Sequence, residues 1–389
     1  MRVLRIHNRY LIRGGEDESL EAEMRLLRER GHQVGLFLET NERLAAIGML
    51  RAGLRTTWSR SSYLQLRRLL REYEYDLVHV HNFFPLLSPA VYYAAQYEGL
   101  PVVQTLHNYR LLCANGLFYR SGTVCEDCLG RGSPWPGVAR GCYRQSRAAT
   151  AAIAAMQWIH RLLGTWKKRV DVYVALTEFS RKKSVEGGLP PRRIVVKPHF
   201  VYPDPGIGQG RGGYALYAGR LSSEKGLRTL VAAWAFIGGR LPLKVVGDGP
   251  EAEWLGAVTR RQPGIDWLGR KPMAEVLTLM GEARFLLLPS VWYETFGRVA
   301  IEAFAKGTPV IASNIGAIAE LVDHGRTGLL FRPGDADDLA QKVQWALDHP
   351  QELTAMRREA RAEYEAKYTA DRNYAMLMDI YRRAIESRK

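Results

Sequence analysis

The feature that most constrains the fold is an alternation of short apolar runs with amphipathic runs, repeated in two series along the chain. The apolar runs are typical of buried strands, and the segments between them have helical spacing, as in Glu18–Arg30, which ends at Gly31. This alternation predicts an α/β protein with parallel strands. The predicted strands are Val3–His7, Val34–Leu38, Leu77–His81, Val102–Leu106 and Val172–Leu176, then Ala215–Gly219, Leu243–Gly247, Ile265–Leu268, Phe285–Pro289 and Pro309–Ala312.

A stretch rich in Pro and Gly, residues 198–213, separates the two series and is typical of a linker. A chain of 389 residues is too long for one ordinary core and fits two domains of roughly 150–200 residues each. We therefore predict a first domain over residues 1–203 and a second over 204–370. An amphipathic, basic helix at about 371–389 is expected to pack back on the first domain. Ligands of open sheets bind at the carboxyl ends of the strands.

The composition is that of a folded globular protein, with 47% hydrophobic and 24% charged residues. No stretch approaches the ~18 consecutive apolar residues of a membrane span. The first residues, MRVLRIHNRY, are too polar for a signal peptide and are typical of a buried first strand. The sequence therefore predicts a cytoplasmic protein.

The net charge of +15 is unevenly distributed. Seven arginines and no acidic residue lie between Arg43 and Arg71, and eight basic and no acidic residues lie between Cys128 and Val170. Basic helical stretches with apolar and aromatic neighbours suit an anionic membrane surface, so we expect peripheral membrane contact. The alternative is a solvated basic face whose apolar side lies in the core. A nucleic-acid-binding protein is disfavoured, because the arginines are not interleaved on an RNA-binding motif.

All four cysteines lie in one segment, as Cys113, Cys125, Cys128 and Cys142. A C-x2-C pair offers two thiolates at the spacing of a tetrahedral metal site, and the other two could complete a structural zinc site. Reduced thiols, or a disulfide in an oxidising compartment, are the alternatives.

The strongest chemical signal is the segment WYETFGRVAIEAFAKGTPVIAS. Glu294 follows an apolar strand, and Glu302 lies inside a helix that is predicted to begin around residues 296–298. Carboxylates accept hydrogen bonds from sugar hydroxyls, whereas an ordinary amphipathic helix with two surface glutamates is the alternative. A helix N-terminus favours a diphosphate, and the backbone N–H groups that would meet one belong to Thr295, Phe296 and Gly297.

Other strand ends carry groups that suit a phosphate. Arg220 and Lys225 follow the first strand of the second series, and both side chains pair well with phosphate oxygens. Glycines permit close backbone approach to a phosphate, and for the pair Gly14-Gly15 a plain tight turn is the alternative. The glycines at such strand ends are Gly14, Gly15, Gly247 and Gly249.

Together these motifs resemble those of the family 4 retaining glycosyltransferases, which have the GT-B fold. The match runs through nearly the whole chain in the family's order: GGEDESLEAEMRLL, DLVHVHN, VVQTLHN, YAGRLSSEKG, VVGDGPE, DWLGR, ETFGRVAIEAFAKGTPVIAS and ELVDHGRTGLLF. The resemblance implies two Rossmann-like α/β domains that face each other across a deep cleft. It assigns the acceptor to the first domain and the nucleotide-sugar donor to the second.

The resemblance also implies roles for single residues. Arg220 and Lys225 would bind the donor diphosphate, Glu294 the donor-sugar hydroxyls and Glu302 the ribose hydroxyls. His107 would lie beside the reacting sugar. Further contacts to the donor are implied for Gly14, Gly15, Gly219, Gly249, Gly269, Arg270, Thr295, Phe296 and Gly297.

The implied reaction moves a hexose, with retention, from a UDP- or GDP-linked sugar to a saccharide or lipid-linked acceptor in polysaccharide or glycolipid synthesis. No catalytic metal is expected, because no DxD-like acidic pair stands where Mg²⁺ would be needed and basic residues take its place. A nucleotide-sugar epimerase, a sugar phosphorylase and a non-catalytic GT-B subunit are the alternatives.

Overall fold

A computed structural model of the protein describes residues 1–11 and 14–388. The chain divides into two compact units, the first formed by residues 1–118, 125–198 and 373–389 and the second by residues 119–124 and 199–372. The division falls after Pro198, earlier than the boundary at 203 drawn from the sequence. No sequence pattern predicted that the short segment 119–124 would belong to the second unit.

Eight strands and nine helices precede the linker in the part of the chain that the structure describes. The strands are β1 (Arg2–Arg9), β2 (Gln33–Thr40), β3 (Leu77–Asn82), β4 (Val102–Thr105), β5 (Tyr119–Arg120), β6 (Thr123–Val124), β7 (Val172–Ala175) and β8 (Ile194–Val196). The helices are α1 (Gly15–Glu29), α2 (Leu44–Ile47), α3 (Met49–Thr57), α4 (Arg60–Glu72), α5 (Ala90–Tyr97), α6 (Trp135–Arg140), α7 (Arg147–Leu162), α8 (Thr165–Lys168) and α9 (Glu178–Glu186).

The first unit contains a six-stranded parallel sheet in the order β2-β1-β3-β4-β7-β8. Its four inner strands, β1, β3, β4 and β7, are buried on both faces, which explains why they are largely apolar. The C-terminal helix contributes Leu377 and Tyr381 to the same core as Val3 and Val172. Side-chain caps begin several helices, because the oxygens of Ser59, Ser146 and Thr177 accept the backbone N–H three residues on.

The second unit repeats the α/β pattern. Its strands are β9 (Ala215–Ala218), β10 (Leu243–Val246), β11 (Ile265–Trp267), β12 (Phe285–Leu288), β13 (Val310–Ser313) and β14 (Gly328–Phe331). Its helices are α10 (Leu227–Ile237), α11 (Ala252–Thr259), α12 (Met273–Glu282), α13 (Arg298–Ala305), α14 (Gly316–Leu321), α15 (Ala336–Asp348), α16 (Pro350–Lys367) and the start of α17 (Ala370–Glu386), which continues into the first unit.

The second sheet is also parallel and has the order β11-β10-β9-β12-β13-β14. All ten strands predicted from the sequence are confirmed, each within two residues at either end. The sequence analysis missed β8, β14 and the β5-β6 hairpin, because their runs are short. Among the described residues, none of the helices combines the length and the apolar character that a membrane span requires.

Gly247, which follows β10, shows how tightly the strand ends of the second unit pack. Its φ is +143°, and a Cβ there would lie 1.8 Å from the carbonyl oxygen of Gly219. We expect Gly247→Ala to lower the free energy of unfolding by about 3 kcal/mol, through backbone strain and a clash with backbone. Urea denaturation measures the change. Gly239→Ala is the matched control, because its Cβ meets no atom within 4 Å, and a similar loss in both variants would contradict this explanation.

Candidate active site

The order of strands in the second sheet marks one place as its binding edge. The chain adds strands outward from β9 to β11 and then returns to place β12 on the other side of β9. The connections that follow β9 and β12 leave these neighbouring strands in opposite directions. A crevice therefore opens at the carboxyl ends of the two strands, where ligands of doubly wound sheets bind. The first loops of these connections are residues 219–226 after β9 and residues 289–297 after β12. They contain Arg220, Lys225 and Glu294, the residues predicted to bind the donor.

The two loops meet through an ion pair. Lys225 Nζ donates to Glu294 Oε1 at 2.8 Å, and Ser290 Oγ donates to the same oxygen at 2.6 Å. Glu294 is only 7% exposed, so its carboxylate is held in a largely desolvated position. The Lys225 ammonium also lies 5.4 Å from the centre of the Trp292 ring. Lys225 is therefore contacted by two residues of the other loop, Trp292 and Glu294, and Ser290 holds the carboxylate of Glu294 from within that loop.

Backbone contacts hold the same loops together. The Val291 N–H donates to the Glu224 carbonyl at 2.9 Å. Gly226 adopts φ +71°, and a Cβ there would lie 1.8 Å from the Pro289 carbonyl oxygen, so only glycine permits this approach. The hairpin of the second unit joins this region, because the Tyr119 side chain forms a hydrogen bond with that of Ser223.

The second predicted carboxylate lies in α13. Glu302 is 6% exposed and pairs through Oε1 with Nε of Arg298 at 2.8 Å, one turn earlier on the helix. Gly297 begins α13 in the left-handed conformation, with φ +100°. The expected start of this helix at residues 296–298 is confirmed. Phe296 is buried and packs edge-to-face against His199 and Tyr368, which fixes the backbone leading into the helix.

The remaining predicted donor residues of the second unit lie along neighbouring strand ends. The N–H of Gly219 donates to Val246, and that of Gly247 donates to Gly269, at 3.0 and 2.9 Å. A Cβ at Gly249 would lie 2.4 Å from the Leu221 carbonyl oxygen. These contacts place the three glycine-bearing loops side by side. The Arg220 and Arg270 side chains, by contrast, are exposed.

In the first unit, His107 follows β4 and ends a row of three histidines. Arg5 Nη1 donates to His79 Nδ1 and, at 2.7 Å, to His81 Nε2. Because a guanidinium can only donate, His81 Nε2 is an acceptor, so its Nδ1 carries the proton and donates to His107 Nε2 at 2.9 Å. This relay places the proton of neutral His107 on Nδ1. Burial lowers the pKa of His107 to about 3, so the ring is uncharged near neutral pH.

The glycine pair of the first unit lies at the start of α1. The Gly14 N–H donates to Asp17 Oδ2 at 3.0 Å, which closes the first turn of the helix. Glu16, which follows the glycine pair, accepts a hydrogen bond at Oε1 from Asn82 Nδ2 at 3.3 Å. Burial and then repulsion from Asp17 raise the pKa of Glu16 to about 8. Gly15 is the first residue of α1 and is exposed.

All four cysteines are free thiols, and Cys113 is the buried one. Cys113 Sγ donates to Asn115 Oδ1 at 2.9 Å. Burial, and to a lesser degree the neighbouring thiols of Cys113, Cys142 and Cys125, raise the pKa of Cys128 to about 11. The disulfide considered in the sequence analysis is therefore not formed, while the zinc site stays a prediction.

The structure thus joins Lys225 with Glu294 in the second unit, and it places Glu302 and Gly297 on the helix that follows. Gly14, Gly15 and His107 belong to the first unit. Sequence reasoning missed the residues that hold these groups, although the i,i+4 spacing of Arg298 and Glu302 on a predicted helix was a usable signal. The other missed residues, for which the sequence offered no periodic signal, are Glu16, Tyr119, Ser290 and Trp292.

Solved structures with the same architecture are known. The structure of Anabaena Alr3699/HepE in complex with UDP-glucose matches with a TM-score of 0.71 and 18% identity, over 97% of this chain and 98% of that one. Sucrose-phosphate synthase from Thermosynechococcus elongatus matches with a TM-score of 0.71 and 19% identity, over 99% of each chain. At these identities the likeness shows the fold, which is GT-B.

Sequence comparisons establish the family. Residues 14–204 match the model of Glycosyltransferase Family 4, and residues 209–363 match the model of Glycosyl transferases group 1. The glycogen synthase of Mycobacterium tuberculosis is 31% identical over 81% of this chain and 67% of its own length. The 2-deoxystreptamine glucosyltransferase of Streptomyces kanamyceticus is 28% identical over 79% of this chain and 78% of its own length. The chain therefore belongs to the family 4 glycosyltransferases of the GT-B fold.

Proposed function

We propose that the protein is a retaining hexosyltransferase that uses a nucleotide-diphosphate sugar, UDP- or GDP-linked, and that its second unit binds the donor. The observation that carries this proposal is the contact between Lys225 and the buried carboxylate of Glu294 at the crevice between β9 and β12. A cation beside a desolvated carboxylate offers one group for phosphate and one for sugar hydroxyls. A second buried carboxylate, Glu302, follows on the next helix.

Catalysis in this site would rest on stabilising the charge of the departing diphosphate. The Lys225 ammonium has three donors, so its contact with Glu294 leaves others to meet phosphate oxygens. The exposed Arg220 guanidinium and the N-terminus of α13 add positive potential near the same loops. Groups held in place before the reaction stabilise such charge without reorganising. The acceptor proton would pass to a leaving phosphate oxygen, so no covalent nucleophile is assigned.

A neutral His107 fits this chemistry as a hydrogen-bonding group rather than as a cation. The relay from Arg5 through His81 keeps its Nε2 as an acceptor and its Nδ1 protonated. We propose that His107 contacts the reacting sugar, and that Gly14 and Gly15 close on the diphosphate. For the first unit, the support for these roles is the resemblance of its motifs to those of the family.

The test is a product analysis with UDP- and GDP-linked hexoses and saccharide acceptors. We expect proton NMR of the first-formed product to show the anomeric configuration of the donor, and turnover in a short assay to persist in excess chelator. Nucleoside diphosphates should raise the melting temperature, because they bind only the native state. An inverted product, sugar epimerisation without transfer, or turnover that requires added Mg²⁺ would each contradict the proposal.

We further propose that the first unit contacts an anionic membrane, where a lipid-linked acceptor would lie. Helices α3 and α7 pack side by side, since a Cβ at Gly53 would lie 3.3 Å from the Ala152 Cβ. Each exposes an apolar pair at i,i+4 spacing: Leu54 (68% exposed) with Trp58 (42%), and Trp158 (48%) with Leu162 (66%). Exposed apolar side chains on basic helices suit a lipid headgroup region.

The structure changes which arginines could meet lipid. Four of the seven between Arg43 and Arg71 pair with Glu39 or Glu98 elsewhere in the first unit. Three others are exposed and have no carboxylate partner among the described residues: Arg51, Arg60 and Arg68.

We expect the triple change of Arg51, Arg60 and Arg68 to Gln to weaken binding to anionic vesicles at low salt by about 100-fold, at about 1 kcal/mol for each arginine near the surface. Vesicle sedimentation measures binding, and rising salt should weaken it. Changing Arg260, Arg261 and Arg358 of the second unit to Gln removes the same charge and should have little effect. Equal losses in both variants, or no binding by the unmodified protein, would favour a soluble saccharide acceptor.

A further inference from the structure

The cysteine segment is the one chemically distinctive part of the chain that the proposed transferase reaction does not use. Its four thiols belong to the first unit, and they flank the β5-β6 hairpin, which belongs to the second. The N–H of Cys125 donates to the Phe118 carbonyl at 2.8 Å, so the two ends of the hairpin are paired at its base. The thiols therefore lie around the point where the chain leaves the first unit and returns to it.

The backbone around Gly137, in the first turns of α6, brings three of the cysteines into one place. A Cβ at Gly137 would lie 3.6 Å from Cys128 Sγ and 3.7 Å from the Cβ of Ala114, the residue after Cys113. The Gly137 carbonyl accepts the N–H of Cys142 at 3.1 Å. The backbone of Gly137 is therefore in van der Waals reach of the Cys128 sulfur and of the chain next to Cys113.

The fourth thiol, that of Cys125, lies beside a tight turn. Residues 126–129 form a tight turn in which the Leu129 N–H donates to the Glu126 carbonyl at 2.8 Å. The two acidic residues inside this turn are already paired, Glu126 with Lys183 at 2.8 Å and Asp127 with Arg140. Neither carboxylate therefore competes with the thiols for a cation, and the C-x2-C pair retains the spacing of a tetrahedral metal site.

We propose that Cys113, Cys125, Cys128 and Cys142 bind one structural zinc ion, which fixes the base of the β5-β6 hairpin. Zn²⁺ binds cysteine as thiolate, so binding would release the thiol protons and give a closed tetrathiolate site with no open position for catalysis. That site carries two negative charges. The acid-free stretch that contains Cys142 also contains Arg131, Arg144 and Arg147, whose positive charges have the opposite sign.

A second group of potential metal ligands is excluded as a metal site by the cations beside it. Within residues 1–11 and 14–388, the three potential metal ligands whose ligand atoms lie within 4.8 Å of one another are Glu23, His79 and His81. The four cysteine sulfurs do not meet this distance, so they must move closer together to share an ion. In the trio, Arg5 donates to both histidines and Lys197 Nζ lies 2.6 Å from Glu23. Two cations already occupy the ligand atoms, so a third has no place there.

The first test is metal content and ligand type. The full chain, purified without chelator, should hold one zinc ion per chain by elemental analysis. Cobalt substitution should give the charge-transfer absorption of thiolate-bound Co²⁺, which a carboxylate-imidazole site cannot give. Cys128→Ser and Cys142→Ser should each lose both signals. Absence of stoichiometric metal, or bound cobalt without thiolate absorption, would overturn the proposal.

A second test separates metal binding from misfolding of the variants, because it uses the unmodified chain. Thiol titration should find the four cysteines protected in the zinc-loaded protein and reactive after a strong chelator. Hydrogen exchange in residues 119–124 should then speed up by about 10-fold or more, while exchange in α13 stays unchanged. Thiols that react equally with and without zinc would refute the site. Unchanged exchange in the hairpin would refute its structural role.

Discussion

Replacing Lys225 with Ala should lower kcat/KM for sugar transfer by about 10²–10³-fold, the scale of removing one preorganised group that stabilises charge in the transition state. Lys225 is the cation that the loop after β9 presents to the loop after β12, and it contacts Glu294 Oε1 at 2.8 Å. Steady-state kinetics with saturating acceptor measure the change. Arg220→Ala should cost a similar factor, because we propose that its guanidinium binds the same diphosphate.

Two comparisons decide whether this loss is catalytic. Lys271→Ala is the matched control, since Lys271 is a partly exposed lysine of the same unit whose ammonium pairs with Glu275, four residues later in the chain. It should leave kcat/KM within about twofold of the unmodified enzyme. The double variant Lys225→Ala, Glu294→Ala should lose less than the sum of the single losses, because the two side chains act as one unit. Near-normal activity of Lys225→Ala would remove the assigned role.

The folded state of Lys225→Ala should be checked in the same experiment. Removing the ammonium leaves Glu294 buried with the Ser290 hydroxyl as a donor to Oε1. A buried carboxylate that loses a charged partner destabilises a protein by about 1–3 kcal/mol. The melting temperature should therefore fall by a few degrees, and a nucleoside diphosphate should restore less of it than in the unmodified chain.

Acidification should destabilise the first unit by about 3 kcal/mol per pH unit near pH 5.5. Burial holds the pKa of His79, His81 and His107 well below 6.5, so the folded protein keeps all three neutral while the unfolded chain protonates them. Their contribution to stability is present above pH 6.5 and is lost as the pH falls. Each proton bound only by the unfolded chain changes stability by about 1.4 kcal/mol per pH unit.

Glu16 has the opposite effect on stability, because the folded protein binds one more proton at this residue than the unfolded chain does. Its pKa is raised to about 8, so the folded protein keeps it protonated between about pH 4.5 and 8 while the unfolded chain ionises it. Its contribution is present below pH 4.5 and is lost as the pH rises through 8. Three histidine protons less one leave a net of about two near pH 5.5.

The reason that the histidines resist protons lies in their partners. Arg5 donates to a nitrogen of His79 and of His81, and Lys197 lies beside the same group through Glu23. A proton on either ring would remove the acceptor that Arg5 uses and add a third cation. Urea denaturation at pH 7.5, 6.5 and 5.5 measures the slope.

Glu16→Gln should steepen the fall of stability on acidification, because it removes the opposing proton. It should also stabilise the protein at pH 8.5 relative to the unmodified chain. Stability that does not change between pH 7.5 and 5.5 would show that the three histidines are not kept neutral by the fold.

The sequence by itself determined the two α/β series, the linker and the chemistry of the donor loops. Strands buried on both faces must be continuous apolar runs, and polar residues at their carboxyl ends stand out against them. Glu294, Glu302 and Lys225 were readable for that reason. The family resemblance added their roles.

Only the tertiary structure decided which groups meet. The order of strands makes β12 the neighbour of β9, and this places Lys225 against Glu294 across 69 positions of sequence. Arginines of the acid-free stretch pair with Glu39 and Glu98, which lie in other elements. Ion pairs depend on distance in space and not on distance along the chain. The row of neutral histidines likewise exists because β3 and β4 are neighbours and Arg5 on β1 faces them. Periodicity carries no information about such contacts, because they depend on the packing of strands and loops that are far apart in the chain.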